Sequence, residues 1–444
     1  MQPSNSSFLK AMIQNKIAVI GLGHVGLTLA LTFAEEGFPI IGIEKSLETL
    51  EHLKNIRPPF FEGGLENLLK KHLGHNLTIT PQLPDNSISA YILCVGTPID
   101  EKEMVPYLKS AESAMREVAL NMKDGALVIL RSTVPVGTSR NFFIPILQET
   151  RKKFYYACCP ERTCEGVALK ELRELPQIVG GIDDASYEMA AALFRKIAPK
   201  IVKVPCLETA EIAKLMDNCW RDATFAFANE MALLCESLGL DATEVIDLAN
   251  LGYERNTIPR PGFVGGPCLT KDPYLLTKSV DKKMPPLTLT PTARLVNKQL
   301  PEQVAKRVLK FVNENGKDAK QCKVFLSGFS FKGHPATDDL RGSCSLDLFY
   351  HLRKIGFTQI SGHDFVVSKS ELEKLDIPFL SFEEGFDEAD VVMILNNHSS
   401  YQKYSIDTLL HKMNKPGFFY DSWHLYSKEV TQKIQGIFHG GIGF

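Results

Sequence analysis

Several side chains in this chain of 444 residues have the type and spacing to do chemistry. Lys214 and Asn218 stand four apart in a stretch from Thr209 to Gly239 that holds no Pro or Gly before its last residue. The spacing predicts one long helix that points both from one face. Glu211 and Arg221 or Asp222 extend that polar stripe. A charged stripe is ordinarily a solvated face. Here Ile212, Ala213, Leu215, Met216, Cys219, Trp220, Ala223, Phe225 and Phe227 occupy the other sides. A helix apolar around so much of its circumference is expected to be buried, so its Lys and Asn would face a site rather than bulk water. Cys268 follows the run Gly265-Gly266-Pro267, a glycine-rich loop whose N–H groups could converge on an anion. Asp272-Pro273 reads as an N-cap with Pro at the first helical position, which sets the thiol just before a helix start, where a thiolate is favoured. Taken alone, any one of ten cysteines is more often structural. Glu161 and Glu165, in Pro160-Glu161-Arg162-Thr163-Cys164-Glu165-Gly166, read equally as general bases or as plain surface acids.

A second constellation lies near the start. Gly21-Leu22-Gly23-His24-Val25-Gly26 follows the strand-like KIAVI and opens a helical pattern. In that context GxGxxG is the dinucleotide fingerprint. Gly21 allows the tight turn, Gly23 lets a pyrophosphate approach the backbone, and Gly26 lets helix and strand pack closely. The helix N-terminus then faces the phosphates. Glu44, ending the next strand, can accept from ribose hydroxyls and repels a 2′-phosphate, which favours NAD over NADP.

The elements that must position these residues are legible as patterns. KIAVIGL (16–22), PIIGIE (39–44), AYILCVG (90–96), ALVILRS (126–132) and FYYACC (154–159) read as strands apolar on both faces, separated by helix-length stretches. That predicts a parallel sheet covered on both sides. Ser132-Thr133-Val134-Pro135-Val136-Gly137-Thr138 ends one of these strands on the cofactor side. After the long helix come a helix near 242–250, a loop rich in Pro and Gly, and a second long helix over about 291–315. A second set of strands then reads KVFLSGF (323–329), TQISGHD (358–364), DVVMILN (390–396) and GFFYDS (417–422). The expected fold is α/β: two Rossmann-like, doubly wound parallel-sheet domains joined by a long central helix and a small all-α domain. The expected boundaries are 1–205, 206–318 and 319–444.

Composition excludes other classes. With 50 Lys+Arg against 52 Asp+Glu there is no positive excess to drive nucleic-acid binding. The ten cysteines lack zinc spacing and the 11 histidines are dispersed, so no metal site is expected. The apolar stretch 17–34 is broken by the fingerprint glycines and runs into Glu35-Glu36 without a cleavage site, and no long uninterrupted apolar run follows elsewhere. The expectation is a cytoplasmic protein that does not engage a membrane.

With these residues assembled, the chain resembles the nucleotide-sugar 6-dehydrogenases, the UDP-glucose and UDP-N-acetylmannosamine dehydrogenase family. The resemblance runs from about 15 to 425. It rests on GLGHVGL (21–27), VGTP (95–98), STVPVGT (132–138), PERTCEG (160–166), AKLMDNCWRDATFAFANE (213–230), GFVGGPCLTKD (262–272) and the FK…TDDLR segment (331–341). It implies oxidation of a C6 alcohol to a carboxylate with two NAD and two hydride transfers. Cys268 would capture the aldehyde as a thiohemiacetal and pass through a thioester. Lys214 and Asn218 would stabilise charge on the C6 oxygen. Asp272 and Thr133 would hold or activate a water, and Glu161 would be the general base, with Glu165 orienting the sugar or sharing that role. The resemblance adds Thr97, His24, Val25 and Arg341 as cofactor contacts and Arg221, Arg255, Gly265 and Lys332 as substrate contacts, Arg255 reaching across a dimer interface.

PER, rather than the PEF of UDP-glucose enzymes, and NCWRDATFAFANE point to a UDP-N-acetylhexosamine, UDP-N-acetylmannosamine first. Glu165 and the Lys-Asp after Cys268 resemble the UDP-glucose group, the alternative substrate. Three departures from the family pattern stand out. FKGHPATDD carries about two extra residues, Asp421-Ser422-Trp423 lacks an expected Arg, and Pro267 stands where His is common in the N-acetylmannosamine enzymes. Two competing readings are weaker. A one-step hydroxyacid dehydrogenase would need neither Cys268 nor residues 323–422. A non-catalytic nucleotide-binding protein would be expected to lose the Cys or the Lys. A homodimer through the long helix, or a higher oligomer, is expected.

Overall fold

The computed structural model describes residues 16–84, 88–100, 102–279, 284–431 and 433–444. They form two compact units. The first runs to Asp217 and takes in Lys271–Pro286; the second is Asn218–Thr270 with Leu287–Phe444.

The first unit is built on β1 (Lys16–Ile20), β2 (Ile40–Ile43), β3 (Leu77–Thr80), β4 (Ile88–Leu93), β5 (Ala126–Leu130), β6 (Phe154–Cys158), β7 (Gln177–Gly181) and β8 (Ile201–Lys203), in the order β8-β7-β6-β5-β4-β1-β2-β3. Ile17 and Val19 enter one core while Ala18 and Ile20 enter the other. Both faces are therefore covered, one by α1 (His24–Glu35) through Leu27 and Leu31, the other by α2 (Lys109–Asn121) through Met115 and Val118. This is why the strands are apolar on both sides. The parallel expectation needs one correction: β7 runs antiparallel to β6, pairing Ala157 with Gly181 and Cys158 with Gly180. The short edge segments β3 and β8 escape a pattern search because one residue of β3 and none of β8 is buried.

The second unit carries β9 (Lys323–Ser327), β10 (Gln359–His363), β11 (Val391–Ile394), β12 (Gly417–Asp421) and β13 (Ile437–Gly440), all parallel, in the order β10-β9-β11-β12-β13. Val324 and Leu326 face one core and Phe325 the other, so this sheet too is sandwiched. The fold is thus the expected pair of Rossmann-like sheets.

Between the sheets in sequence lie α3 (Leu207–Ser237, 31 residues), α4 (Ala242–Asn250), α5 (Asp272–Thr277) and α6 (Leu289–Glu314). The division between units cuts α3 after Asp217. Among the described residues no helix is long and apolar enough to cross a membrane. α3 corrects the sequence reading in one respect. It is not buried all round. Its polar stripe of Glu211, Lys214, Asn218 and Asp222 is the buried side, whereas Met216, Trp220, Phe227 and Leu234 are exposed, Trp220 at 70 %.

Candidate active site

In the first unit the chain turns from β1 into α1 through the fingerprint. A Cβ on Gly26 would lie 1.8 Å from Gly21 O, so only glycine lets α1 start against this strand. A Cβ on Gly23 would meet nothing within 4 Å, which leaves room beside the backbone for a pyrophosphate. Glu44 is fixed by three backbone N–H groups: Leu22 donates to Oε2 at 3.0 Å, and Lys45 and Ser46 donate to Oε1 at 2.8 and 2.9 Å. A carboxylate offers about four acceptor sites, so the group retains capacity for a ribose hydroxyl. Lys45 turns to Glu117 at 2.6 Å. His24 stacks on Phe60 with ring centroids 3.9 Å apart, its Nε2 lying 3.8 Å from Glu165. Val25 sits beside it in the first turn of α1. These residues fit a dinucleotide.

The 132–138 loop is tied down by other side chains. Thr97 Oγ1 donates to Thr133 O at 2.5 Å and Ser132 Oγ to Val95 O at 2.7 Å. From α3, Glu211 accepts from Gly137 N at 2.6 Å and Ser139 N at 2.9 Å. Burial pushes the Glu211 carboxyl above its ordinary value, more than these donors pull it down.

Glu161 is held at both carboxylate oxygens. Its Oε2 accepts from Arg131 Nη2 at 2.5 Å and Nε at 3.1 Å, while Oε1 accepts from Arg162 N at 2.7 Å and Thr163 N at 2.9 Å. Arg131 is 1 % exposed and also donates to Gln177 Oε1 and Cys159 O. Burial alone would raise the Glu161 carboxyl, but the guanidinium and the two N–H donors hold it below the usual range. A carboxylate so filled anchors the 160–166 loop. Lys214 is buried (8 % exposed) and has no ion-pair partner among the described residues. Arg221, on the same helix, is exposed. Asn218 is 6 % exposed, one turn beyond Lys214.

In the second unit Cys268 is the exposed member of ten reduced cysteines. The loop leading to it corrects the idea of an anion nest. Gly266 N donates to Gly342 O at 3.0 Å, and a Cβ on Gly265 would lie 2.2 Å from that same oxygen. The glycines serve close backbone packing. Asp272 is likewise not the N-cap. Lys271, which with α5 belongs to the first unit, is, without a side-chain cap bond, and Asp272 is the first residue of α5, fully buried and paired with Lys271 Nζ at 2.6 Å. Lys332 lies 5.3 Å from the Phe331 ring, and Arg341 Nη2 and Nε hold Asp339 at 2.5 and 2.9 Å. Arg255 is exposed and stacks over Tyr253 at 4.7 Å. Where an Arg was expected, Trp423 Nε1 donates to Leu395 O at 2.9 Å and its ring covers Gly262. Asp421 beside it is fully buried, and burial pushes its carboxyl up to about 6.

Sequence reasoning missed Arg131 and the pair Arg294 and Asn297. Each carried a signal: Arg131 ends an apolar strand, and Arg294 and Asn297 interrupt the apolar positions Ala293 and Leu300 of α6.

Three family models match the chain in order: the NAD binding domain of the UDP-glucose/GDP-mannose dehydrogenase family over residues 15–198, its central domain over 208–299 and its UDP binding domain over 325–428. A UDP-N-acetyl-D-mannosamine dehydrogenase of Methanococcus maripaludis is 30% identical over 425 residues, covering 94% of this chain and 95% of the relative. An NDP-N-acetyl-D-galactosaminuronic acid dehydrogenase of Ralstonia nicotianae is 30% identical, covering 88% of this chain and 93% of its own. Among solved structures, a UDP-D-ManNAc dehydrogenase from Pyrococcus horikoshii superposes with a TM-score of 0.86 at 30% identity, covering 96% of this chain and 99% of that one. The chain therefore belongs to the UDP-glucose/GDP-mannose dehydrogenase family and is an NAD-dependent nucleotide-sugar dehydrogenase.

Proposed function

We propose that the chain oxidises the C6 hydroxyl of a UDP-N-acetylhexosamine, UDP-N-acetylmannosamine first, to the carboxylate. The observation that carries the chemistry is Cys268, an exposed thiol on a loop otherwise made rigid by backbone packing. The near full-length likeness to an N-acetylmannosamine enzyme supports the sugar.

Bound NAD would supply the oxidising power, taking up a hydride in each of two oxidations. Gly21, Gly23, His24, Val25, Gly26, Glu44, Thr97 and Thr133 would hold it. Lys214 and Asn218 would stabilise negative charge on the C6 oxygen, since a buried ammonium without a counter-charge gains most from an oxyanion. The Cys268 sulfur would bond to the aldehyde carbon as the C=O π pair moves to oxygen and takes a proton. In the last step water, held by Thr133 and Asp272, would add to the thioester carbonyl. Glu161, with Glu165 sharing the role, would take its proton, and the C–S bond would break to return the thiol. Lys332, Arg341, Arg221 and Gly265 are the proposed contacts to the nucleotide and sugar. In this reading residues 1–205 bind NAD, 206–318 carry the catalytic helix and 319–444 bind UDP, and the protein works in the cytoplasm.

A homodimer through α3 belongs to the same proposal. Met216, Trp220, Phe227 and Leu234 make an exposed apolar stripe on one side of the helix, and Arg255 is free of ion pairs among the described residues. Light scattering would report twice the chain mass, and Trp220→Glu would shift it toward one.

The primary experiment is NADH formed per UDP-sugar consumed, with UDP-N-acetylmannosamine, UDP-N-acetylglucosamine, UDP-N-acetylgalactosamine and UDP-glucose in parallel. A ratio near two with an N-acetylhexosamine is expected. A ratio near two with UDP-glucose alone would overturn the sugar, and a ratio near one with every sugar would overturn the role of Cys268.

A further inference from the structure

We propose that Arg294 is a positioning residue for Cys268, acting through both limbs of the loop that carries the thiol. The proposal rests on the reading of Cys268 as nucleophile. Arg294 projects from α6 and is 4 % exposed. Its guanidinium donates to Val264 O at 3.1 Å and to Leu269 O at 3.2 Å, carbonyls on either side of Cys268, and to Asp222 Oδ1 at 2.9 Å. Asn297, nearly one turn on, donates to Asp222 O and Oδ1, both at 2.9 Å. Its amide oxygen accepts from Asn229 at 2.9 Å. Asn229 in turn donates to Gly262 O at 3.0 Å and accepts from Gly262 N at 2.9 Å. Residues 262–269 thus hang from α3 and α6.

The loop has few side chains of its own to fix it, since Gly265, Gly266 and Pro267 precede the cysteine. A planar guanidinium can span two carbonyls and a carboxylate in one geometry, which the point charge of a lysine cannot. Misplacing a reacting atom by about 1 Å costs on the order of a hundredfold in rate. The capture step is the one most exposed to such an error, because the sulfur must reach the aldehyde carbon before the aldehyde leaves. In that step the S–C bond forms, the C=O π pair moves to oxygen, and oxygen takes a proton.

Arg294→Lys tests this. Expected are a fall in NADH per UDP-sugar from near two toward one and the appearance of aldehyde trapped by a hydrazide reagent. The KM for the UDP-sugar should stay within about twofold while kcat falls ten- to a hundredfold. In the free protein, the rate of Cys268 alkylation by iodoacetamide, read by peptide mass, should change as well. Asp222→Asn keeps both carbonyl contacts and should leave the ratio near two. If Arg294→Lys keeps the ratio at two with unchanged alkylation, or if Asp222→Asn shifts the ratio equally, the proposal is overturned. Cys268→Ser separates the two readings. A fully active Cys268→Ser would sink the nucleophile itself. An inactive one beside an unaffected Arg294→Lys sinks the positioning role alone. Should Arg294→Lys not fold, Asn229→Asp, which loses the donor to Gly262 O, is expected to lower the same ratio, and an unchanged ratio counts against the proposal.

Discussion

Each unit buries an arginine against a carboxylate, and in each the arginine also donates to backbone carbonyls. In the first unit Arg131 holds Glu161; in the second Arg294 holds Asp222. Both arginines are almost fully buried. The carboxyls nevertheless shift in opposite directions. Burial would raise each, but four donors bring Glu161 below its ordinary value, whereas Asp222 stays raised. The difference lies in the second oxygen. Both oxygens of Glu161 are filled, while Asp222 Oδ2 has no hydrogen-bond partner among the described residues. A guanidinium alone does not decide the charge state of a buried acid; the count of donors does.

The largest effect should come from breaking the better-filled pair. Arg131→Met leaves Glu161 buried without its guanidinium and should cost about 3–5 kcal/mol in urea unfolding. Arg294→Met should cost less, because Asp222 is met by fewer donors than Glu161 and its Oδ2 has no hydrogen-bond partner among the described residues. The reverse order would break the comparison.

A smaller effect is expected where the loop meets backbone. Gly265→Ala drives a Cβ against Gly342 O and should cost about 1–3 kcal/mol. Gly23→Ala should leave the urea midpoint unchanged while weakening NAD binding in a fluorescence titration, since its Cβ enters open space. Equal midpoints for the two variants would show that the 262–269 loop yields.

The smallest effect sharpens the comparison through pH. Glu161 is depressed when folded, so its contribution is present above the ordinary value of 4.5 and lost as pH falls through its lowered pKa. Asp222 is raised, so its contribution is fully present below its ordinary value of 3.8 and is lost as pH rises through the raised one. Urea midpoints from about pH 3 to 8 should therefore show wild type losing its advantage over Glu161→Gln as pH falls below 4.5, with a constant gap above it. Asp222→Asn should recover relative to wild type over that range. Parallel curves would contradict the assignment.

How much of this was legible in the sequence follows from where each interaction closes. The strands, the fingerprint, Glu44, α3 and α6 rest on local patterns, and a reading along the chain finds them. Glu44 stands just past β2, where the pattern put it, although its three backbone donors were not foreseen. What stayed hidden depends on distant partners. Arg131 meets a residue 30 positions away and Arg294 one 72 positions away. The local signal, an arginine against apolar neighbours, marks burial but not the partner. The antiparallel β7 is a matter of topology rather than of side-chain pattern. The exposure of Met216, Trp220, Phe227 and Leu234 on α3 inverts ordinary amphipathic logic. The close packing of Gly265 on Gly342 stayed hidden because a glycine run looks the same whether it admits an anion or a neighbouring chain segment.

The three N–H groups that converge on Glu44 have a consequence for anyone wishing to re-engineer cofactor preference. Replacing this acid to admit a 2′-phosphate would also strip the turn between β2 and the following helix of its acceptor, and would unhook Leu22 inside the fingerprint. A single exchange would thus loosen the very loop meant to receive the new ligand. A successful redesign would have to graft a self-supporting turn first and alter charge second.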